Sequence, residues 1–303
     1  MEAQHLEGLI AAPPTPMRPD GALNPEPIER QLDALLDAGV RGAFVCGTTG
    51  EGLSLSVTER KQVAARWAEA AQEGFAVLVH VGHTSMAEAR ELARHAEQVG
   101  AGAIAAMGPC FLKPATVEDL ASFCTEIAAA APQVPFYYYH IPSVSGVRLP
   151  MIDFLGAASG AVPTLAGMKY THEDLMGYGR CLRFEGGRLD MLFGREEILL
   201  SALALGARGA VGMTYNFAAP LYLRIMRAFE AGDLDAARAD QARAMEMVAV
   251  MRRFGGVRAA KEIMKFIGLD CGPVRSPLRP FTGEESARLR GALEAVGFFE
   301  YAS

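Results

Sequence analysis

The chain has 303 residues, half of them hydrophobic, and a formal net charge of −6. This length fits a single (β/α)8 barrel of about 250 residues with an extension, and the apolar half provides a large core. The negative net charge argues against a surface that binds nucleic acid. No apolar run reaches the roughly 18 residues of a membrane span. We recognise no signal peptide, and the five scattered cysteines lack metal-binding spacing, so we expect a cytoplasmic protein with reduced thiols and no metal.

Short apolar runs alternate with amphipathic stretches along the first two thirds of the chain. Helices are predicted between the runs, for example at 24–38, after a capping box at Ser56 to Glu59, after a similar one at Ser85 to Glu88, and at 196–205. Eight such βα repeats predict a closed parallel barrel with its helices outside. The predicted strands are 9–12, 42–46, 76–80, 103–107, 135–139, 165–169, 189–193 and 209–213.

Beyond the eighth strand the pattern becomes wholly helical. No glycine- or proline-rich linker separates this part from the repeats. We therefore predict a (β/α)8 barrel over residues 1–215 and a C-terminal helical extension of the same domain over residues 216–303. The helices expected in the extension are 218–231, 234–254, 258–267 and 284–296.

Lys169 ends the sixth predicted strand, in the segment Gly167-Met168-Lys169-Tyr170-Thr171. Side chains alternate along a strand, so Lys169 and Thr171 would share a face. A lysine that is buried without a partner has a lowered pKa, and its neutral amine is a nucleophile toward ketones. The alternative is a strand-end lysine that reaches solvent, as most lysines do.

Two other segments at predicted strand ends carry groups suited to the same chemistry, because barrel enzymes work at the carboxyl ends of their strands. Gly47-Thr48-Thr49-Gly50 follows the second strand, and its hydroxyl and N–H groups could hold a carboxylate or form only an ordinary turn. Tyr139 ends the fifth strand on the same face as Tyr137. A phenol there could relay a proton or could simply pack among aromatic rings.

Histidines and acids near the strand ends are less specific signals. His140 should lie off the inward face of the fifth strand, where we expect structural hydrogen bonding. His80 and His83 are close in sequence, but no third ligand is placed for a metal. Glu196 and Glu197 follow the seventh strand, where acids suit the dipole of a starting helix and could also bind sugar hydroxyls.

A lysine, a tyrosine and a carboxylate-binding turn at one rim suit Schiff-base chemistry on a 2-keto acid. The amine would attack the ketone, the N–H groups would hold the carboxylate and the phenol would move the proton. A non-catalytic 2-keto acid binder would need only the turn, so the presence of Lys169 and Tyr139 favours an enzyme.

Several segments resemble the N-acetylneuraminate lyase / dihydrodipicolinate synthase family, in order and over nearly the whole chain. The three consecutive tyrosines and the segment Phe111-Leu112-Lys113-Pro114 add a likeness to its lyase branch of the animal type. The segments that carry the family resemblance are 46–56, 137–142, 167–169, 193–194 and 212–216.

The resemblance implies a class I aldolase, usually a homotetramer without metal or organic cofactor, that cleaves N-acetylneuraminate reversibly to pyruvate and N-acetylmannosamine. It assigns the imine to Lys169 and the proton relay to Tyr139. Thr48 and Thr49 would hold the carboxylate, with Thr48 also in the proton path. The residues that it implies for the sugar tail are Thr171, Gly194, Glu196, Glu197 and Met213.

Four positions depart from the family patterns. Val144 stands where the synthase branch has an arginine, and Phe111 stands where that branch has a tyrosine that reaches a neighbouring subunit. Glu196 and Met213 replace the aspartate and serine usual in lyases, which would make the pocket narrower and more apolar. An aldolase or dehydratase for another 2-keto-3-deoxy sugar acid is therefore the alternative function.

Overall fold

The computed structural model of the protein describes residues 5–303. Eight parallel strands close into one barrel in chain order, as the eight repeats predicted. Each strand limit lies within one residue of its predicted position. The strands are β1 (Gly8–Ala11), β2 (Gly42–Val45), β3 (Ala76–His80), β4 (Ala103–Met107), β5 (Phe136–His140), β6 (Leu165–Tyr170), β7 (Asp190–Phe193) and β8 (Gly209–Gly212).

Helices cover the outside of the barrel and continue beyond β8. The barrel with a helical extension is thereby confirmed, while the division between residues 215 and 216 stays a prediction. No helix in the described part of the chain is long and apolar enough to cross a membrane. The helices are α1 (Ile28–Asp37), α2 (Val57–Ala70), α3 (Met86–Gln98), α4 (Val117–Ala128), α5 (Pro142–Ser145), α6 (Met151–Ala161), α7 (Leu175–Leu182), α8 (Leu199–Leu205), α9 (Tyr215–Glu230), α10 (Leu234–Arg253), α11 (Val257–Phe266) and α12 (Gly283–Ala295).

Helix starts were predicted less well than strands. The reciprocal capping box between Ser56 and Glu59 is confirmed. At Ser85 only half of the predicted box forms, because the Ser85 N–H donates to His83 Nδ1 at 3.0 Å instead of to Glu88. Helix α1 begins at Ile28 and not at 24, since prolines at 25 and 27 disfavour helical geometry in the residues before them. The predicted helix 196–205 starts with a 3-10 turn and becomes α-helical only at Leu199.

The strand register places the side chains of the candidate site on neighbouring strands. Tyr139 on β5 lies opposite Lys169 on β6, and Lys169 lies opposite Leu192 on β7. Phe44 and Tyr139 belong to the apolar cluster that fills the barrel interior. Lys169 therefore enters the barrel at its carboxyl end, on top of a packed aromatic floor.

A buried ion pair ties the C-terminal helices to the barrel rim. Lys261 Nζ on α11 lies 2.7 Å from a Glu51 carboxylate oxygen, and the two side chains are 3% and 4% exposed. Lys261 also donates to the Pro273 carbonyl at 2.8 Å, and the Arg275 N–H donates to Glu51 at 2.7 Å. Because Glu51 closes the turn that carries Thr48 and Thr49, the extension supports the candidate site.

Replacement of Lys261 by methionine should lower the free energy of unfolding by about 3–5 kcal/mol, since it leaves a buried carboxylate without its cation. Urea unfolding measures this loss. Lys61→Met is the matched control, because its partner Glu91 is exposed and the pair is worth about 0–1 kcal/mol. Equal small losses in both variants would contradict the role of the buried pair.

Candidate active site

The Lys169 amine is buried among aromatic rings. The residue is 4% exposed, so the solvent-facing alternative does not hold. Its Nζ lies 3.8 Å from the Phe44 ring centroid and 4.3 Å from that of Tyr139. Within residues 5–303 this nitrogen has no hydrogen-bond or ion-pair partner. Burial lowers the pKa of Lys169 to about 7, against a smaller opposing effect of the Glu196 charge, so much of the amine is neutral near neutral pH.

A cavity of about 180 Å³ opens above Lys169 at the carboxyl end of the barrel. All the residues predicted for the site line it, although they come from five different strand ends. They are Thr48, Thr49, Tyr139, Lys169, Thr171, Gly194, Glu196, Glu197 and Met213.

Part of the cavity wall was not predicted from the sequence. Helices α10 and α11 of the extension cover one side of the cavity, which places it between the barrel and the C-terminal helices. The residues that line this side of the cavity are Val248, Met251 and Arg252 of α10, Val257 of α11, and Gly256 just before α11. Only the amphipathic pattern of these helices could have indicated burial, and it does not tell a cavity from a core.

The Tyr139 hydroxyl lies 3.3 Å from Thr48 Oγ1, and either oxygen could donate. Burial raises the pKa of Tyr139 to about 12, with the Thr48 hydrogen bond acting in the opposite direction. The phenol therefore keeps its proton near neutral pH. A protonated phenol bonded to a second hydroxyl can accept one proton while it passes another on.

The turn after β2 presents free donors to the cavity. Cys46 and Glu51 adopt left-handed backbone conformations, with φ of 57° and 54°, at either side of the turn. The N–H groups of Glu51 and Gly52 bond back into the turn. The N–H groups of Thr48 and Thr49 have no acceptor within the described residues, which suits a carboxylate ligand.

Thr171 and Gly194 meet at the next part of the wall. A side chain at Gly194 would place its Cβ 2.0 Å from Thr171 Oγ1, so only glycine fits there. Thr171 Oγ1 is buried and makes no hydrogen bond of standard geometry within residues 5–303, although it lies close enough to the Tyr139 hydroxyl to help lower the pKa of that phenol. This hydroxyl is available to a ligand that fills the cavity.

Glu196 binds backbone groups of the following strand end. Its Oε1 accepts the N–H groups of Met213 at 3.0 Å and Thr214 at 3.1 Å, and the Thr214 hydroxyl at 3.2 Å. Burial raises the pKa of this carboxyl. The carboxylate therefore bonds to N–H groups just ahead of α9, and among the described residues no side-chain cap bond forms at the start of the turn that Glu196 itself opens. The same bonds fix Met213 in the cavity wall.

Glu197 forms ion pairs at the cavity mouth. It contacts Arg252 of α10, and it lies 3.4 Å from Arg195, which also pairs with Glu173 at 2.5 Å. These contacts connect the loops after β6 and β7 with the extension. Glu197 is 15% exposed, and its charge is shared with two arginines.

His140 does not form the hydrogen bonds that we expected. Its Nδ1 is buried without a partner in the described residues. The ring packs instead against Tyr170 and His172, at centroid distances of 4.9 and 5.5 Å. Burial lowers the pKa of His140 to about 3, so the ring is neutral. It faces away from the cavity, as predicted, and serves packing.

These features describe a (β/α)8 barrel with a buried lysine of lowered pKa, a phenol and a turn with free N–H groups at its carboxyl rim. The chain belongs to the dihydrodipicolinate synthetase family, whose model matches residues 5–296. The family resemblance seen in the sequence is thereby confirmed.

Similar proteins are known by sequence and by structure. The N-acetylneuraminate lyases of Homo sapiens and Rattus norvegicus are 42% and 41% identical over 301 residues, which cover 98% of this chain and 94% of each relative. The structure of the Aliivibrio salmonicida lyase matches with a TM-score of 0.96 and 43% identity, over 99% of this chain and all of that one. The structure of the Proteus mirabilis lyase matches with a TM-score of 0.95 and 44% identity, over 97% of this chain and all of that one.

Proposed function

We propose that the protein is a class I aldolase that cleaves N-acetylneuraminate reversibly to pyruvate and N-acetylmannosamine through an imine on Lys169. Identity above 40% to lyases over at least 97% of the chain supports this substrate. The observation that carries the mechanism is the buried Lys169 amine, without a charged partner in the described residues, at the floor of a cavity.

The reaction begins when the neutral Lys169 amine attacks the C2 ketone of the open-chain sugar acid. Loss of water from the carbinolamine gives an iminium ion. The electrons of the C3–C4 bond then move into the iminium, which leaves an enamine, while the C4 hydroxyl loses its proton and becomes the aldehyde of N-acetylmannosamine. Protonation of the enamine at C3 and attack of water at C2 release pyruvate and restore the amine.

The remaining residues bind the substrate and move the C4 proton. The free N–H groups of Thr48 and Thr49 would hold the carboxylate next to the iminium. The Tyr139 phenol would accept the C4 proton and pass its own proton on, with Thr48 as its hydrogen-bonded neighbour. Thr171, Gly194, Glu196, Glu197 and Met213 would line the path of the sugar tail.

The pH dependence of kcat/KM should follow the Lys169 amine. Its pKa of about 7 lies well below the ordinary lysine value, and only the neutral form attacks, so kcat/KM should rise with pH and level off above about 7. Below a pH of about 7, each further pH unit should lower kcat/KM about tenfold. A steady-state profile from pH 5 to 10 measures it. A continued rise through pH 9 would indicate an ordinary, solvated lysine.

Met213 favours a second candidate, an aldolase or dehydratase for a shorter or less hydroxylated 2-keto-3-deoxy sugar acid. Its thioether lines the cavity where a polar tail would seek hydrogen bonds. One carboxylate oxygen of Glu196 already accepts hydrogen bonds from three protein donors, which leaves it less able to bind a substrate hydroxyl. Steady-state kinetics over a panel of 2-keto-3-deoxy acids tests both candidates; the proposal requires N-acetylneuraminate to have the highest kcat/KM.

Met213→Ser should improve kcat/KM for N-acetylneuraminate about threefold to tenfold, since one new neutral hydrogen bond is worth about 0.5–1.5 kcal/mol. Formation of the pyruvate adduct should not change, because pyruvate does not reach this wall. If the native substrate is a shorter acid, the same variant should lose efficiency toward that acid through lost apolar contact. No change on any acid would show that Met213 does not touch the substrate.

We also propose a cytoplasmic homotetramer. Phe111 and Leu112 are each 77% exposed and Met176 is 76% exposed, which is typical of side chains that become buried between subunits. The five cysteines are all free, as expected for a reducing compartment. Sedimentation equilibrium at several protein concentrations tests the subunit number.

A further inference from the structure

Arg60 is a buried cation without a carboxylate partner in the described part of the chain. It lies on α2, outside the barrel, and is 1% exposed. Its guanidinium donates to the carbonyls of His80 at 2.5 Å and Gly82 at 3.0 Å. Burial of a guanidinium is costly, and here the hydrogen bonds to the two carbonyls offset part of that cost. The guanidinium fixes the carboxyl end of β3, which carries the His80 ring.

The His80 ring is held through both of its nitrogens. The Met107 N–H points to Nε2 at 3.4 Å, and Nδ1 lies 3.2 Å from the Cys46 carbonyl and 3.3 Å from a guanidinium nitrogen of Arg60. Since Nε2 accepts from Met107, we assign the neutral tautomer with the proton on Nδ1, which donates to the Cys46 carbonyl. The nearby Arg60 nitrogen then donates to the His80 carbonyl and not to the ring. The ring therefore joins the ends of β2 and β4 from its place at the end of β3.

These two connections lead directly to the groups proposed for proton transfer. Cys46 is the residue before the Gly47-Thr48-Thr49-Gly50 turn, so His80 anchors the start of that turn. The His80 ring also meets the Tyr139 ring edge to face, with centroids 5.8 Å apart and planes at 84°. One ring thus contacts Tyr139 and anchors the turn that carries Thr48.

We propose that His80, held by Arg60, is a positioning residue that sets the distance between the Tyr139 hydroxyl and Thr48 for the proton relay. The inference rests on the proposed function, because it deepens the role of Tyr139 in that reaction. His80 itself does not line the cavity that holds Lys169. Its two contacts with the proposed relay are the Tyr139 ring and the start of the turn.

His80→Phe tests the proposal, because it keeps a ring against Tyr139 and removes the contacts of both ring nitrogens. We expect kcat to fall about 10- to 100-fold, the effect of a misplacement of about 1 Å, with KM changed less than threefold. Trapping of the pyruvate imine on Lys169 should reach the wild-type extent. An unchanged kcat would overturn the proposal.

A double-mutant cycle separates positioning from a general structural effect. In the Tyr139→Phe background, His80→Phe should lower kcat less than threefold, since the group that it positions is already absent. A full, multiplicative loss in that background would overturn the proposal. If wild-type enzyme itself forms no pyruvate adduct, the proposed function fails, and that result is distinct from either outcome of the cycle.

Two further variants keep the test decisive if His80→Phe does not fold. His80→Asn has an amide nitrogen that can replace Nδ1 at the Cys46 carbonyl. Its effect on kcat should also be smaller in the Tyr139→Phe background than in the wild-type background. Arg60→Lys keeps the charge but has a single donor nitrogen in place of the guanidinium fork, so its kcat should lie between those of wild type and Arg60→Met. Equal kcat in the two Arg60 variants and wild type would contradict the role of the guanidinium.

Discussion

Replacement of Lys169 by arginine should abolish turnover. The guanidinium stays protonated at any pH at which the protein is folded, so it cannot attack a ketone or form an imine. The expected kcat is below detection in a direct assay of pyruvate release, and the variant should form no borohydride-stable adduct.

The matched control is Lys265→Arg. Lys265 is an exposed residue of α11 that does not line the cavity, so this change should leave turnover as in wild type. Circular dichroism of both variants verifies folding. Turnover close to wild type in Lys169→Arg would exclude the Schiff-base mechanism.

Tyr139→Phe should lower kcat about 10²- to 10⁴-fold, the usual contribution of a positioned acid–base group. Loss of the hydroxyl removes the partner of Thr48 and leaves the C4 proton without a relay. The amine and its aromatic surroundings remain, so pyruvate should still be trapped on Lys169. Single-turnover kinetics with N-acetylneuraminate measures the effect on the cleavage step.

Tyr137→Phe is the control for this variant, because Tyr137 lies on the same strand face but its hydroxyl donates to the buried Asp190 at 3.0 Å. It should lower the free energy of unfolding by about 1–3 kcal/mol and leave kcat near wild type. If Tyr139→Phe instead raises KM and leaves kcat unchanged, Tyr139 only binds the substrate.

The barrel could be predicted from the sequence because its signals are local. Each strand is a short apolar run, and each is buried on both faces, so the runs stand out from the amphipathic helices between them. Helix starts depend on single backbone contacts, and these were predicted less well. At Ser85 the competing acceptor is His83, which a capping pattern does not include.

The candidate site could be predicted where its residues follow strands directly. Lys169, Tyr139 and the Thr48–Thr49 turn were placed together by the rule that strand ends share one rim. The wall formed by Met251, Arg252 and Val257 could not be predicted, since it depends on how α10 and α11 fold back over the rim. The bonds of Glu196 to Met213 and Thr214 are equally non-local and carry no sequence signal.

The mechanism requires Lys169 to form an imine with a 2-keto acid. Incubation of the protein with pyruvate and sodium borohydride, followed by intact mass measurement and peptide mapping, detects this imine as a reduced adduct. We predict one reduced pyruvate adduct per chain, located on Lys169 and lost in Lys169→Arg. No adduct, or an adduct on another lysine, would contradict the mechanism and would favour a protein that binds 2-keto acids without cleaving them.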